Sequence, residues 1–290
     1  MLNKKKPAFV WMNGKFISYD ESYIHVLTHS LHYSGAAFEG VRAYNGKAFK
    51  LEEHTERLLQ SAKYMLLDVS YSAEEINEVV YQLLEKNSIK NAYIRPLIWR
   101  SAESMGIYTP GLSTSILIAV FDSQATFANN LRLKVGKWRK PSPESMPTQA
   151  KSSTHYGMAV VSQASAESEG YGDSLILDYE GFIAECNVAN IFFGKGDTIV
   201  TPIADRFLNG ITRQAMIIMA KQMGFDVKEE RIGPWQLGEY DYSFLTGTAR
   251  EIGGIISIDF EKSVSHFPDP QEKVKLLQAE FAKMVGKSTY

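Results

Sequence analysis

The sequence predicts a two-domain α+β protein with largely antiparallel sheets in both halves. Three observations carry that expectation: Asn-Gly pairs set between apolar runs, hairpins alternating with amphipathic helical segments, and a fall in apolar density from Asp122 to Asn130. A chain of 290 residues, at roughly 150 residues per domain, points the same way.

Phe9–Met12 and Lys15–Ile17 flank Asn13-Gly14, and Val41–Tyr44 and Lys47–Phe49 flank Asn45-Gly46. Both central residues of a type I′ turn need positive φ, which Asn and Gly tolerate best, so each pair predicts a tight hairpin. Within Leu51–Leu67, Leu58, Ala62, Met65 and Leu66 fall at helical spacing. Ser72 with Glu75 is a capping-box signature, and Ile76, Val79, Val80, Leu83 and Leu84 continue it as one apolar stripe. Strands are expected over Ala92–Trp99 and Ser113–Phe121, the first at an edge or a bulge because Pro96 has no N–H to donate. Beyond the polar stretch, Leu131–Trp138 resumes a strand pattern, Arg139–Pro147 is a loop and Ser153–Glu169 a helix. Ser174–Asp178 and Phe182–Phe193 enclose Tyr179-Glu180-Gly181 as a third hairpin. Gly210 opens a helix through Met223 that Gly224 terminates, and Gln271–Val285 is a last helix on the outside. The domains are placed at 1–122 and 131–290, with 123–130 as linker.

Composition narrows the function. Hydrophobic residues at 44% and charged residues at 22% exclude wholesale disorder. Lys plus Arg at 31 against 33 acidic residues argues against a dedicated nucleic-acid binder. The single cysteine, Cys186, rules out a disulfide framework within the chain and a cysteine-built zinc site. No apolar run approaches the ~18 residues that span a bilayer. Ala8–Met12, after the basic Met1–Lys6, is too short for a signal-peptide core. A soluble, cytoplasmic protein without membrane or nucleic-acid partners is expected.

Most familiar chemical motifs are missing. His25, His29 and His32 would share a helical face as a metal site requires, but Thr28, Ser30 and Ser34 point to irregular backbone, where that register means nothing. There is no phosphate-binding G-x-x-x-x-G-K-[ST], no G-x-G-x-x-G after a strand and no G-x-S-x-G elbow. Two small-residue turns remain. Gly210-Ile211-Thr212-Arg213 leads into a helix, whose free first-turn N–H groups and dipole attract a phosphate, and Thr246-Gly247-Thr248-Ala249 follows a strand. Lys151, past a Pro-rich loop, is ordinarily a solvated charge. Glu185, in the apolar run Phe182–Cys186, needs a cationic or protonated partner if it faces inward.

These signals occur together in one order in a known family. The sequence resembles the class IV, fold type IV pyridoxal-phosphate aminotransferases, which share the D-amino-acid aminotransferase-like fold, and most of all branched-chain amino-acid aminotransferases. The resemblance runs through Leu31-His32-Tyr33-Ser34-Gly35, Phe38-Glu39-Gly40-Val41-Arg42, Glu53-His54, Arg57-Leu58, Ala92-Tyr93-Ile94-Arg95-Pro96 and Ala150-Lys151. It continues through Ala184-Glu185, Ala189-Asn190-Ile191-Phe192 and the two small-residue turns.

It implies pyridoxal 5′-phosphate held between the domains, with Lys151, carried by the C-terminal domain, as the catalytic Schiff-base lysine. A primary amine is what that linkage requires, and once freed the same amine can carry the substrate's Cα proton. Glu185 takes the place of the carboxylate beside the pyridine nitrogen, Arg57 of the phosphate-binding arginine, and Tyr156 of the tyrosine near the phenolic oxygen. Ile211, Thr212 and Thr248 match phosphate-contacting positions. Tyr33, Phe38, Tyr93, Trp138 and Ala249 match substrate-binding positions, and Arg95, with Arg42 beside it, the arginine that accepts a γ-carboxylate.

Two stretches depart from the branched-chain pattern: Ser152–Tyr156 has no glycine before Gly157, and Arg250 stands where a small residue is usual, so that it could bind a substrate carboxylate. The expected activity is transfer of the amino group of L-Leu, L-Ile or L-Val to 2-oxoglutarate by a ping-pong cycle, in branched-chain amino-acid biosynthesis, by a homodimer or higher homo-oligomer. The competing readings are a D-amino-acid or (R)-amine aminotransferase, an aminodeoxychorismate lyase, and a catalytically silent cofactor-binding relative.

Overall fold

The computed structural model describes residues 6–108, 111–124, 128–260, 263–267 and 272–287. Residues 1–5, 125–127 of the expected linker and 271 at the expected start of the last helix lie outside them. The chain forms two units, Met1–Gln124 with Ala150–Tyr156, and Ala125–Gln149 with Gly157–Tyr290.

The first unit contains β1 (Phe9–Met12), β2 (Lys15–Ser18), α1 (His29–Tyr33), β3 (Ala37–Phe38), β4 (Val41–Tyr44), β5 (Lys47–Ala48), α2 (Leu51–Tyr64), α3 (Ala73–Lys86), β6 (Ala92–Arg100) and β7 (Thr114–Asp122). Asn13 (φ 48°) and Asn45 (φ 50°) turn the two hairpins as expected. Both bonds of the capping box form, Glu75 N–H to Ser72 Oγ at 3.2 Å and Ser72 N–H to Glu75 Oε2 at 2.7 Å. The sheet is antiparallel throughout, ordered β2-β1-β7-β6-β4-β5, with β3 also on β6.

Strand β6 sits inside this sheet, which corrects the edge or bulge expected from Pro96. Pro96 O accepts a bond from Glu39 N–H at 2.9 Å, at the break between β3 and β4. The N–H and C=O of a strand residue point to the same side, so the missing donor faces that break and costs no ladder bond. The period of two then gives β6 two characters. Ala92, Ile94 and Ile98 join Val41, Ile116, Ile118 and Val120 in a core against Leu58, Ala62, Ile76, Val80 and Leu83 of the two helices. Tyr93, Arg95 and Leu97 take the opposite face, with Phe38 opposed to Leu97.

The second unit contains β8 (Leu131–Val135), most of α4 (Tyr156–Ser168), β9 (Asp173–Leu177), β10 (Ile183–Cys186), β11 (Asn190–Lys195), β12 (Thr198–Pro202), α5 (Ile211–Gln222), β13 (Asp226–Glu230), β14 (Tyr242–Gly247), β15 (Glu251–Phe260), β16 (Ser263–His266) and α6 (Glu272–Met284). Its nine-stranded sheet runs β10-β9-β8-β15-β14-β11-β12-β13, with β16 on β15. This sheet is mixed: β8 pairs in parallel with β9 and β15, and β12 with β13, because helices α4 and α5 form the crossovers. The expected run Phe182–Phe193 is two strands. The chain turns at Asn187–Ala189, where Cys186 N–H bonds Ala189 O at 2.7 Å, so β10 pairs with β9 while β11 pairs with β12 and β14.

Lys151 was expected with the C-terminal half, but its backbone attaches to the first unit. Its N–H donates to Ser61 Oγ at 3.0 Å, and its carbonyl accepts from Phe38 N–H at 3.1 Å.

Candidate active site

On the face of the first sheet turned away from α2 and α3, five expected site residues meet. Lys151 Nζ lies 2.6 Å from Tyr156 Oη and 5.0 Å from the centre of the Phe38 ring. Phe38 and Tyr156 meet edge to face at 4.7 Å. Arg95 donates to Tyr93 Oη at 2.6 Å, and its guanidinium lies 4.8 Å from the Phe38 ring. A primary amine, two phenols and a guanidinium thus converge around aromatic walls. The Ser152–His155 departure also finds its reason. Ser152 Oγ accepts from Thr154 N–H at 3.4 Å and Ser153 Oγ from Ala36 N–H at 3.2 Å, so hydroxyls fasten the turn between lysine and tyrosine.

Arg57 points from α2 to a carboxylate that the sequence reading left without a role. Its Nε and Nη2 grip Glu39 at 2.6 and 3.0 Å, and His54 Nδ1 donates to Glu39 Oε2 at 2.7 Å. Burial alone would raise the Glu39 carboxyl, but Arg57 and His54 outweigh it and hold it well below the usual carboxylate range. Burial also lowers His54, outweighing its bond to Glu39. The fork of Arg57 is fixed before any ligand arrives.

Unfolding returns His54 to about 6.5 and Glu39 to about 4.5, so the unfolded chain binds more protons as pH falls through these values. Stability from both groups is present above those values and lost on acidification, His54 acting first. Urea midpoints measured from about pH 7.5 down to about pH 4 should therefore fall, and a flat profile contradicts this account.

In the second unit, Glu185 is buried on β10 and has the partner it needs. Lys140 Nζ lies 2.5 Å from Oε1, and Asn190 Nδ2 donates to Oε2 at 3.3 Å. Asn190 Oδ1 also accepts from Gly210 N–H at 3.1 Å, which ties the carboxylate to the start of α5. A Cβ at Gly210 would stand 2.2 Å from that oxygen, so only glycine allows the approach. Gly210 is also the N-cap and has no side chain to cover the first-turn amides of buried Ile211 and Thr212. Thr248 and Ala249 lie in the turn from β14 to β15. Beside it the buried Thr246 Oγ1 has no hydrogen-bond partner among the described residues.

Other expected residues are engaged differently. Arg250, expected to meet a substrate carboxylate, pairs at 3.1 Å with Asp173, whose full burial demands a cation. Arg42 is buried and donates to Ser123 O at 3.1 Å, which makes it an anchor of the sheet end. Tyr33 donates to Met105 O at 2.8 Å, and His29 Nε2 lies 3.1 Å from the carbonyls of Gly106 and Ile107. Trp138 is half exposed in the second unit, with Lys137 Nζ 5.5 Å from its ring.

Glu39, His54, Lys140 and Asn190 were missed because their partners are distant in sequence or in other elements. A glutamate between Phe38 and Gly40, in an apolar run, was the one available signal.

The donor set suits pyridoxal phosphate. In the first unit an amine beside a phenol fits its aldehyde and phenolic oxygen and a fixed arginine its phosphate; in the second a buried carboxylate fits its pyridine nitrogen and uncapped helix amides its phosphate. Residues 36–258 match the family described as Amino-transferase class IV. The chain is 50% identical over 278 residues, 96% of each chain, to the probable branched-chain-amino-acid aminotransferase of Rickettsia bellii. Its fold aligns with the crystal structure of Escherichia coli branched-chain amino acid aminotransferase at a TM-score of 0.92 and 31% identity, covering 98% and 97% of the two chains. A T.th. branched-chain amino acid aminotransferase complexed with N-(5′-phosphopyridoxyl)-L-glutamate aligns at 0.91 and 30% identity, covering 98% and 96%. Sequence match, fold and donor chemistry agree, and the chain belongs to the class IV aminotransferases, pyridoxal-phosphate enzymes of fold type IV.

Proposed function

We propose that this protein is a branched-chain amino-acid aminotransferase that moves the amino group of L-leucine, L-isoleucine or L-valine to 2-oxoglutarate in a ping-pong cycle. The observation that carries this reading is one sheet face holding both an aromatic wall, Phe38 and Tyr93, and the guanidinium of Arg95. Apolar walls suit branched side chains, while a γ-carboxylate needs a cation because burying it unpaired costs several kcal/mol. The names of the similar enzymes support the same substrates.

The cofactor supplies the electron sink for loss of the Cα proton. This chain's residues do the rest. Arg57, held by Glu39, would hold the phosphate, as would the amides of Ile211 and Thr212, with Thr248 contributing from its turn. Tyr156 would donate its O–H to the phenolic oxygen. Glu185 would hold a proton on the pyridine nitrogen, with Lys140 and Asn190 keeping the carboxylate in place. Lys151 Nζ would take the proton from the substrate's Cα and hand it on to the cofactor side instead of returning it to Cα, and Ala249 and Tyr93 would orient the substrate.

Arg95→Ala should impair the half-reaction with glutamate or 2-oxoglutarate by roughly 10- to 150-fold relative to that with leucine, the size of a lost charge-assisted pair. An equal fall in both assigns Arg95 to a shared or structural role. Faster rates of the wild type with D-alanine or an (R)-amine than with L-leucine would replace this reading by that of a D-amino-acid or (R)-amine aminotransferase.

We further infer a cytoplasmic homodimer. Tyr23, Val26, Leu31, Ile107 and Tyr108 are exposed on two segments that His29 and Tyr33 tie together, an apolar patch suited to a second copy. A monomer in sedimentation equilibrium overturns it. Among the described residues, no helix is long and apolar enough to cross a membrane.

A further inference from the structure

The turn joining β14 to β15 leaves through a backbone conformation that L-residues avoid. Gly247 and Glu251 are paired, Thr248–Arg250 form the connection, and Glu251 has φ 53°. Glycine or asparagine ordinarily takes the left-handed position of a short hairpin connection. A glutamate there is strained, and such strain persists only where surrounding contacts over-determine it.

Those contacts are present on two sides. Glu251 is buried, and its Oε2 accepts from Lys287 Nζ at 2.6 Å. Lys287 is delivered by the end of α6, where Gly286 (φ 69°) donates to Lys283 O at 3.0 Å and Lys287 N–H to Ala282 O at 2.9 Å. That pattern is a Schellman termination, which fixes the direction of the chain leaving the helix. The same helix holds the next residue, since Gln278 Nε2 donates to Ile252 O at 2.9 Å. On the other side, Arg250 pairs with Asp173 Oδ2 at 3.1 Å and donates to Gly172 O at 3.4 Å, beside β9. Burial pushes the Asp173 carboxyl up against the pull of Arg250, whose guanidinium is its charge contact.

We propose that Arg250–Asp173 and Glu251–Lys287 are positioning pairs that hold the Thr248–Ala249 turn in its substrate-binding shape, so that the C-terminal helix sets substrate affinity. The inference rests on the reading that this turn faces cofactor and substrate. It turns the Arg250 departure into a strut in place of a substrate ligand. Its mark is a loss of binding without an equal loss of rate, because none of the four side chains handles the proton or the cofactor's nitrogen.

The test uses the cofactor-loaded full chain and 4-methylvaleric acid, a leucine analogue with no amino group to react, titrated by the change in visible absorbance. Lys287→Ala and Arg250→Ala should each weaken its binding, and raise the KM for L-leucine, by about tenfold or more, with kcat within about threefold and cofactor absorbance unchanged. Lys287→Arg should restore binding. Glu251→Gly relieves the strain but discards the charge, so it should bind the acid as poorly as Lys287→Ala while keeping its thermal midpoint, which also answers for an alanine variant that does not fold. Wild-type affinity in Glu251→Gly or in both alanine variants overturns the proposal, as does a Lys287→Arg variant no better than alanine. A wild type that shows no cofactor absorbance or no turnover of L-leucine overturns the functional reading itself, a result distinct from active wild type with unaffected variants.

Discussion

Replacing Lys151 with alanine should lower transamination by at least about 10³-fold, within the range that removing a general acid–base group costs. The backbone around Lys151 is held at both its N–H and its carbonyl, by Ser61 and Phe38, and its amine reaches Tyr156 at 2.6 Å. The substitution therefore deletes the amine without moving the chain. The companion measurement is borohydride reduction of the cofactor-loaded protein followed by peptide mapping, which should find the pyridoxyl group on Lys151. Lys140 is committed to Glu185 at 2.5 Å, and Lys137 lies over Trp138. A label on either, or on no lysine, overturns the assignment.

Glu185→Gln should retain bound cofactor but slow Cα deprotonation by at least ~100-fold, the usual size of a lost electrostatic contact in catalysis. The structure adds a second consequence. Lys140 is nearly buried, so the amide leaves its ammonium without a counter-charge, a loss of about 3–5 kcal/mol for a broken buried pair. Slower chemistry could then be mistaken for partial unfolding. Combining Glu185→Gln with Lys140→Met removes both charges, which is often neutral for stability. The double variant should regain its thermal midpoint and stay slow. If its half-reaction rate returns to that of the wild type, Glu185 acts only through folding and leaves the mechanism.

Local chemistry made much of the fold legible. Asn13-Gly14 and Asn45-Gly46 could only turn tightly, Ser72 and Glu75 could only cap, and Gly224 (φ 92°) ended α5 where expected. Pro96 misled because proline is excluded from a ladder only where its neighbour needs an N–H, and that need depends on where β3 ends and β4 begins. The run Phe182–Phe193 misled because β10 and β11 are both apolar, so composition could not show the turn at Asn187–Ala189.

For the site, the order of motifs along the chain and the family it resembles made Lys151, Glu185 and Arg57 the candidates, each of a residue type that suits the proposed chemistry. By itself the sequence determined the α+β class, the hairpins and caps, and, through the resemblance, the residues proposed to form a Schiff base, bind a phosphate and hold a proton. Only the tertiary structure decided the partners of the buried charges: Glu39 takes Arg57 and His54, Glu185 takes Lys140 and Asn190, Arg250 meets Asp173, and Glu251 meets Lys287. The reason is physical. Turns and caps are decided within a few residues, whereas the partner of a buried charge is whichever opposite charge the packed chain brings within about 3 Å, and no sequence spacing encodes that distance.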